Sequence, residues 1–452
     1  MKVHFIAIGG SVMHQLAIAL KRKGYIVTGS DDEIFEPART NLEQHGLLPA
    51  ETGWFPEKIS RDLDAVILGM HAREDNPELQ KARQFGLNIY SFPEYIFQES
   101  TGKRRVIVGG SHGKTTTTAM IMHVLRHCER RFDYLVGARL EGFEQSVEIS
   151  DAPVIVCEGD EYPASTLEKR PKFHFLYPHI AVLTGIAWDH INVFPTLDNY
   201  LEQFSIFIQK IEPGGVLIYN ETDDDLNRLL EMNQRDDIRY IPYGIPQHKI
   251  NNGQTAIQIG NKYQALQVFG THNLLNLNAA YHVCIELGIS SEGFAKAIEG
   301  FKGASRRLEL LSANGTSNVF RDFAHAPSKL RATTQAVKAQ FPDRKLIAVF
   351  ELHTYSSLNE NFLSEYRDAL NDADEAVVYF STHALEIKRL PMLDVSKIKE
   401  GFGNDELHVF NDREQLLEWL RQRELQNANL LLMSSGNYDG IDVVELASEL
   451  VK

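Results

Sequence analysis

Val106-Ile107-Val108-Gly109-Gly110-Ser111-His112-Gly113-Lys114-Thr115-Thr116-Thr117-Thr118 reads as a β-strand, a glycine turn and the first turn of a helix. Each part has its own use in holding phosphate. Glycines, lacking Cβ, let the backbone curl so that several N–H groups converge, and a helix N-terminus adds the positive end of its dipole. Lys114 is placed to reach terminal phosphates, and Thr115 to ligate Mg2+. The general pattern G-x-x-x-x-G-K-[ST] is incomplete, because its first glycine falls on Val108; the chain carries the shorter form Gly110-x-x-Gly113-Lys114-Thr115. The plain alternative is a glycine turn before a threonine-rich helix cap. Strand, lysine and hydroxyl standing in register argue against it.

At 452 residues the chain has material for about three domains. Its 61 acidic and 46 basic residues leave a formal charge of -15, which argues against nucleic-acid binding, because phosphate backbones need a basic face. Any phosphate must therefore be held by local groups. Cys128, Cys157 and Cys284 lie far apart with no C-x-x-C spacing, so they are expected as buried thiols in a reducing compartment. The start, Met1-Lys2-Val3-His4-Phe5-Ile6-Ala7-Ile8, is too short an apolar run for a secretory signal, and no later run is long enough to span a membrane. A cytoplasmic protein without membrane association is the expectation.

Residues 3–8 form an apolar run ending at Gly9-Gly10, followed by a helical pattern with Met13, Leu16, Ala17 and Leu20 on one face. A second strand, Tyr25 to Thr28, leads into Gly29-Ser30-Asp31-Asp32 and places a carboxylate about twenty residues after the glycine turn, where dinucleotide folds read a ribose hydroxyl. The full G-x-G-x-x-G fingerprint is absent, since Ile8 and Met13 occupy its outer glycine positions. Ala65 to Leu68 is a third strand, ending at Gly69-Met70-His71, and Glu74-Asp75-Asn76-Pro77 opens another helix. After the phosphate turn, strands are expected at 154–157, 179–184 and 215–219, all buried-type runs suited to a parallel sheet. Mixed, shorter β pieces fill 221–269. Val319 to Phe323, Leu346 to Phe350, Ala376 to Phe380, Leu407 to Phe410 and Leu430 to Met433 then alternate with helical stretches, a βαβ rhythm. The expected fold class is α/β in three domains: Rossmann-like at 1–101, a central P-loop ATPase with a mainly parallel sheet at 102–303, and Rossmann-like α/β at 304–452.

Strand 154–157 ends in Glu158-Gly159-Asp160-Glu161, and strand 179–184 leads to Trp188-Asp189-His190, so carboxylates and an imidazole emerge beside the phosphate turn. In an open α/β sheet that is the ligand edge. Mg2+ wants hard oxygen ligands and keeps nucleotide phosphates, so Thr115 with one of these carboxylates suits one ion, and His190 with another carboxylate oxygen a second. The structural alternatives are a solvated loop charge for Glu158 and a helix cap or satisfied surface imidazole for His190. Asn273 and Asn276 share one face of a helix start, placed either to read an adenine edge or to cap the helix. Arg307, in Ser305-Arg306-Arg307-Leu308-Glu309, is placed to clamp phosphate or to pair with Glu309. Asp322 and His325 again stand at a strand end, with Asp322 as a helix N-cap the alternative.

The order G-x-x-G-K-T-T, E-x-D-E, D-H, H-N-x-x-N-x-x-A-A, R-R-x-E and D-F-A-H-x-P resembles the Mur ligase family along nearly the whole chain. The resemblance implies ATP-dependent amide formation by three domains that take a UDP-sugar, ATP and an amino acid or peptide. Ile8-Gly9-Gly10 with Gly29-Ser30-Asp31, and Glu74-Asp75-Asn76-Pro77, resemble the two branches that use UDP-N-acetylmuramate. One branch adds L-alanine; the other, the murein peptide ligases, attaches recycled L-alanyl-γ-D-glutamyl-meso-diaminopimelate. Tyr162 with Glu168-Lys169-Arg170-Pro171-Lys172-Phe173, and Asp322-Phe323-Ala324-His325, are similar to the recycling branch. Phe350-Glu351-Leu352-His353-Thr354-Tyr355-Ser356-Ser357 lacks the arginines of the alanine-adding branch, while Arg321 and Ala326 depart from both.

On this resemblance Lys114, Glu158, His190 and His325 carry catalysis, and Thr115, Glu158 and His190 hold Mg2+. ATP is implied to be bound by Gly110, Ser111, His112, Gly113, Lys114, Thr115, Thr116, Asn273, Asn276, Arg307 and Asp322, and the UDP-sugar by Gly9, Gly10, Ser11, Ser30, Asp31 and His71. The tripeptide is the preferred amine, with L-alanine the alternative; monomer and dimer both stay open. Readings from other classes are a nicotinamide oxidoreductase, which leaves the phosphate turn unused, and a silent UDP-sugar binder, which leaves Lys114, Thr115, Glu158 and His190 without purpose.

Overall fold

The computed structural model describes residues 1–137, 140, 142–188, 193–304 and 307–451. The chain forms two compact units, Met1–Ile245 with Leu275–Ala297, and Pro246–Leu274 with Ile298–Lys452.

The first unit holds two sheets. β1 (Lys2–Ile6), β2 (Ile26–Ser30), β3 (Ala65–Leu68) and β4 (Ile89–Ser91) form a parallel sheet in the order β2-β1-β3-β4. Val3, Phe5, Ile6 and Val66 are fully buried, as a strand covered on both faces requires. The helix Met13–Arg22 buries Leu16, Ala17 and Leu20, the face its apolar spacing predicts. Ile6 aligns with both Ser30 and Leu68, so the carboxyl ends of three strands are level.

The second sheet comprises β5 (Arg104–Gly109), β6 (Asp133–Leu135), β7 (Val147–Glu148), β8 (Val154–Glu158), β9 (Ile180–Leu183), β10 (Val216–Asn220) and β11 (Arg239–Tyr243). Its order is β11-β10-β9-β5-β8-β6-β7, and only the β6–β7 pair is antiparallel. The helix Lys114–His127 follows β5 and buries Ala119, Met120, Met122, Val124 and Leu125. β5 is thus flanked by β8 and β9, with Val108 opposite Glu158 and Gly109 opposite Leu183. This register brings three strand ends to one edge.

In the second unit, β12 (His248–Asn251), β13 (Gln254–Ile259) and β14 (Lys262–Ala265) make an antiparallel meander. β15 (Glu309–Ala313), β16 (Asn318–Asp322), β17 (Lys345–Leu352), β18 (Glu375–Phe380), β19 (His408–Phe410) and β20 (Ala428–Met433) form a sheet ordered β15-β16-β20-β17-β18-β19, with β15 alone antiparallel. Along β17, Leu346, Ala348, Phe350 and Leu352 enter one apolar core and Ile347 and Val349 the other. That double burial is why the strand reads as a continuous apolar run.

The three parallel-rich sheets are the cores of three α/β domains. Each expected strand is present within a residue or two; β4, β6, β7 and β15 were not anticipated. The meander falls in the second of the two compact units. β12 is exposed throughout, so the meander cannot bury itself; Thr255 Oγ1 donates to Gln340 Oε1 at 2.8 Å, and Gln340 Nε2 to Gly253 O at 2.7 Å. Cys157 and Cys284 are buried thiols as expected, whereas Cys128 is partly exposed. No described helix is long and apolar enough to cross a membrane.

Candidate active site at the sheet edges

The turn after β5 has the conformation its glycines suggest. Gly110 stands at φ +125° and Gly113 at φ +89°, where residues with a Cβ are strained. Space is closed as well as conformation: a Cβ on Gly110 would strike Thr184 Oγ1 and lie 2.9 Å from Thr184 N, and one on Gly113 would strike Asn276 Oδ1. Thr184, just past β9, donates its hydroxyl to Gly109 O at 3.2 Å and also to His112 O, fixing the turn from the neighbouring strand. Thr116 is buried in the first turn of the following helix.

Lys114 opens that helix and folds back over the turn, donating to Gly110 O at 2.5 Å and to Glu161 Oε2 at 2.7 Å. Glu161 is 1% exposed, and Tyr200 donates to its other oxygen at 3.3 Å. Tyr200 and Ser111 share a 2.8 Å hydrogen bond, and Ser111 Oγ accepts from Ala187 N at 2.9 Å. A chain of hydrogen bonds thus runs from the turn through a buried tyrosine to the acid that holds the lysine.

Glu158, opposite Val108 at the end of β8, is the second carboxylate of this edge. Burial raises its pKa, and Lys114, the Gly137 amide and the Thr115 hydroxyl work against that rise. Its Oε1 is buried with no hydrogen-bond partner. An orphaned carboxylate oxygen beside a threonine hydroxyl and a phosphate turn fits a hard cation, so Thr115 and Glu158 suit Mg2+. Burial also pushes on Asp160, but Lys172, at 2.6 Å, and Lys114 outweigh it and hold its carboxyl below the usual range. Asp189, His190, Ser305 and Arg306 lie outside the described residues.

Gly9, Gly10 and Ser11 follow β1, Asp31 follows β2 and His71 follows β3, at one edge of the first sheet. Asp31 Oδ2 accepts the Gly9 amide at 2.6 Å, and burial pushes its pKa up to about 6. The carboxylate expected to face a ribose therefore commits one oxygen to the turn itself. Ser30 is fully buried and accepts from Lys58 Nζ at 3.1 Å, while Ser11 and His71 are exposed.

Asn276 contributes to the first unit by lying against Gly113, whereas Asn273 donates to Phe269 O at 2.9 Å at the start of the same helix, Thr271–Glu286. In the second unit, Asp322 accepts the amides of Leu308 (2.6 Å) and Ala324 (2.7 Å); burial raises its pKa, opposed first by Arg307. Arg307 stacks 5.1 Å from the Phe323 ring centre. Glu309 pairs across the strands with Arg321 at 2.7 Å. His325 Nδ1 is bonded to Phe323 O at 2.9 Å. Sequence reasoning passed over Glu161, Tyr200 and Thr184, and also Glu351, a 1%-exposed acid at the end of β17 that accepts Tyr438 N at 2.9 Å and the Ser434 hydroxyl.

Three family models match the chain in succession: the Mur ligase family catalytic domain over residues 2–100, the Mur ligase middle domain over 108–284 and the Mur ligase glutamate ligase domain over 306–436. The UDP-N-acetylmuramate–L-alanine ligase of Arthrobacter sp. is 33% identical over 386 residues, 83% of this chain and 80% of that protein. Among solved structures, the UDP-N-acetylmuramate-alanine ligase of Thermotoga maritima aligns with TM-score 0.67 and 24% identity, covering 100% of this chain and 98% of the other. The murein peptide ligase of Psychrobacter arcticus gives TM-score 0.63 and 22% identity, covering 100% and 99%; both likenesses speak for the fold. Matched along nearly all of its length, the chain belongs to the Mur ligase family and is an ATP-dependent ligase that forms an amide bond.

Proposed function

We propose that this ligase joins the lactyl carboxylate of UDP-N-acetylmuramate to the amine of L-alanyl-γ-D-glutamyl-meso-diaminopimelate, in cytoplasmic peptidoglycan recycling. The observation that carries the phosphate chemistry is Lys114, held between Gly110 O and Glu161 on a turn that admits only glycine at its two bends. A carboxylate does not acylate an amine directly, because oxide would have to leave. One of its oxygens therefore attacks the γ-phosphorus of ATP, the bond to the β–γ bridging oxygen breaks, and ADP departs. The peptide amine then attacks the acyl carbon, loses a proton, and inorganic phosphate leaves with the oxygen it gained.

In this reading Lys114 exchanges Glu161 for phosphate oxygens, and the backbone around Gly113 lines the transferred group. This is charge neutralisation and positioning. Bound through Thr115, Glu158 and His190, Mg2+ would neutralise phosphate charge. Thr116, Asn273, Asn276, Arg307 and Asp322 hold the nucleotide, and His325 meets the transferring phosphate or the peptide. Gly9, Gly10, Ser11, Ser30, Asp31 and His71 hold the UDP-sugar. The working domain limits are 1–101, 102–303 and 304–452.

The tripeptide is supported by residues 350–357, which lack the arginines of the alanine-adding branch, although Glu351-Leu352-His353-Thr354 also departs from the Glu-Pro-Arg-Ser frequent in the recycling branch. A second reading, addition of L-alanine, is favoured by the name of the 33%-identical relative. Phosphate release in the presence of ATP, Mg2+ and UDP-N-acetylmuramate, run side by side with L-alanine and with the tripeptide, decides between them. Faster turnover with the tripeptide is expected; faster turnover with L-alanine replaces the first reading by the second.

A further inference from the structure

Residues 160–172 connect the two edges described above, and of them the proposed chemistry uses Glu161 alone. They form a hairpin. Its base closes at Asp160, which accepts from Lys172 Nζ at 2.6 Å and, through its carbonyl, from Phe173 N at 3.1 Å. Lys172 N donates to Tyr162 O at 3.0 Å, Pro163 and Pro171 face each other across an antiparallel bridge, and Ala164 N donates to Arg170 O at 2.9 Å. The bend is tied by Ser165 Oγ, which accepts the amides of Leu167 (3.2 Å) and Glu168 (2.9 Å).

The tip does not hang free. Thr166 N donates to Met70 O at 3.1 Å, and Thr166 Oγ1 donates to Ala72 O at 2.9 Å. These two carbonyls flank His71 on the turn that follows β3, so Thr166 holds that turn from both sides. The base has the opposite address: Asp160 feels both Lys172 and Lys114, and Glu161 next to it holds Lys114 directly. One end of the hairpin is therefore fastened to the phosphate edge and the other to the turn at the carboxyl end of the first sheet. Ala72 is 2% exposed while Thr166 and His71 are both exposed, so the fastening lies at the surface.

We infer that this hairpin is a positioning element that sets the turn carrying His71, and with it the acceptor sugar, at a fixed place relative to Lys114, with Thr166 as its distal fastening. The inference rests on the UDP-sugar reading of that turn. It differs from a purely structural role in what it moves: loss of the fastening loosens the acceptor alone and leaves the nucleotide untouched.

The test starts with calorimetric titration of the unmodified chain with UDP-N-acetylmuramate, followed by steady-state kinetics of Thr166→Val, Thr166→Ser and Lys172→Met. Thr166→Val removes one hydrogen bond from the tip and is expected to raise KM for UDP-N-acetylmuramate about 3- to 10-fold with KM for ATP unchanged. Thr166→Ser keeps the hydroxyl and is expected to restore the unmodified value. Lys172→Met opens the base and is expected to raise the same constant. Unchanged KM for the sugar in both Thr166→Val and Lys172→Met, or a rise in KM for ATP alone, overturns the inference while leaving the ligase reading standing. No binding of UDP-N-acetylmuramate to the unmodified chain overturns that reading and the inference with it.

Discussion

Two glycine turns in the first unit begin alike and end differently. After β1 the chain runs through Gly9 and Gly10 into a helix whose first residues, from Val12, offer no side-chain cap and no cation. After β5 it runs through Gly110 and Gly113 into a helix opened by Lys114. In the first turn the protein supplies its own anion, because Asp31 takes the Gly9 amide at 2.6 Å. In the second it supplies a cation on a salt bridge with Glu161. The same backbone device thus differs by one neighbouring side chain: an acid that takes the Gly9 amide in the first turn, and an ammonium group that favours an anion in the second.

The contrast breaks most sharply at Lys114. Lys114→Ala should lower turnover about 10²- to 10³-fold in a phosphate-release assay, since it removes the cation at the transferring group. Near-native turnover would strip the second turn of its assigned role. Next comes Glu158→Gln, which takes the charge from the orphaned carboxylate; the Mg2+ concentration giving half-maximal rate should rise about 10-fold or more. An unchanged magnesium titration would remove Glu158 from the metal site.

The glycines can be set against each other. Gly110→Ala meets backbone at 2.9 Å in a left-handed conformation and should cost about 2–3 kcal/mol in urea unfolding. Gly9→Ala meets only the side chains of Asp31 (2.9 Å) and Ile34 (3.0 Å), without a left-handed φ, and should cost about 1 kcal/mol. Equal costs would mean the second turn is no more constrained than the first.

A further contrast is a pH dependence at Asp31. Its pKa is raised from 3.8 to about 6, chiefly by burial. The favourable contribution of the protonated folded form is therefore complete below pH 4 and is lost as pH rises toward 6. Relative to Asp31→Asn, the unmodified chain should lose stability between about pH 4 and pH 6 and stay level above that. A difference that does not vary across this window would show that Asp31 is solvated like an ordinary surface acid.

How much of this was legible in the sequence follows from how far apart the partners lie. The turn, Lys114, Thr115 and Glu158 were readable because strand, glycine and helix signals are local, and β8 and β9 end beside β5 as buried apolar runs predict. Glu161, Tyr200 and Thr184 were not, although Glu161 was in plain view in Glu158-Gly159-Asp160-Glu161. Which of three carboxylates reaches Lys114 depends on how the chain leaves β8, and Tyr200 is placed by a helix 89 residues from Ser111. Asp31 was found at its strand end, but its bond to Gly9 is a matter of register that local pattern does not carry. β4, β6 and β7 are three residues or fewer, too short for a period to show, and β15 alternates among partly exposed side chains.

The central claim, that an acceptor carboxylate takes the γ-phosphate before the amine attacks, is tested most directly with UDP-N-acetylmuramate labelled with 18O in both lactyl carboxylate oxygens. Ligation in unlabelled water with ATP, Mg2+ and the amine is followed by mass analysis of the phosphate released. One 18O atom in inorganic phosphate for every amide formed is the expected result. Phosphate free of label, with amide still produced, would contradict the acyl-phosphate route.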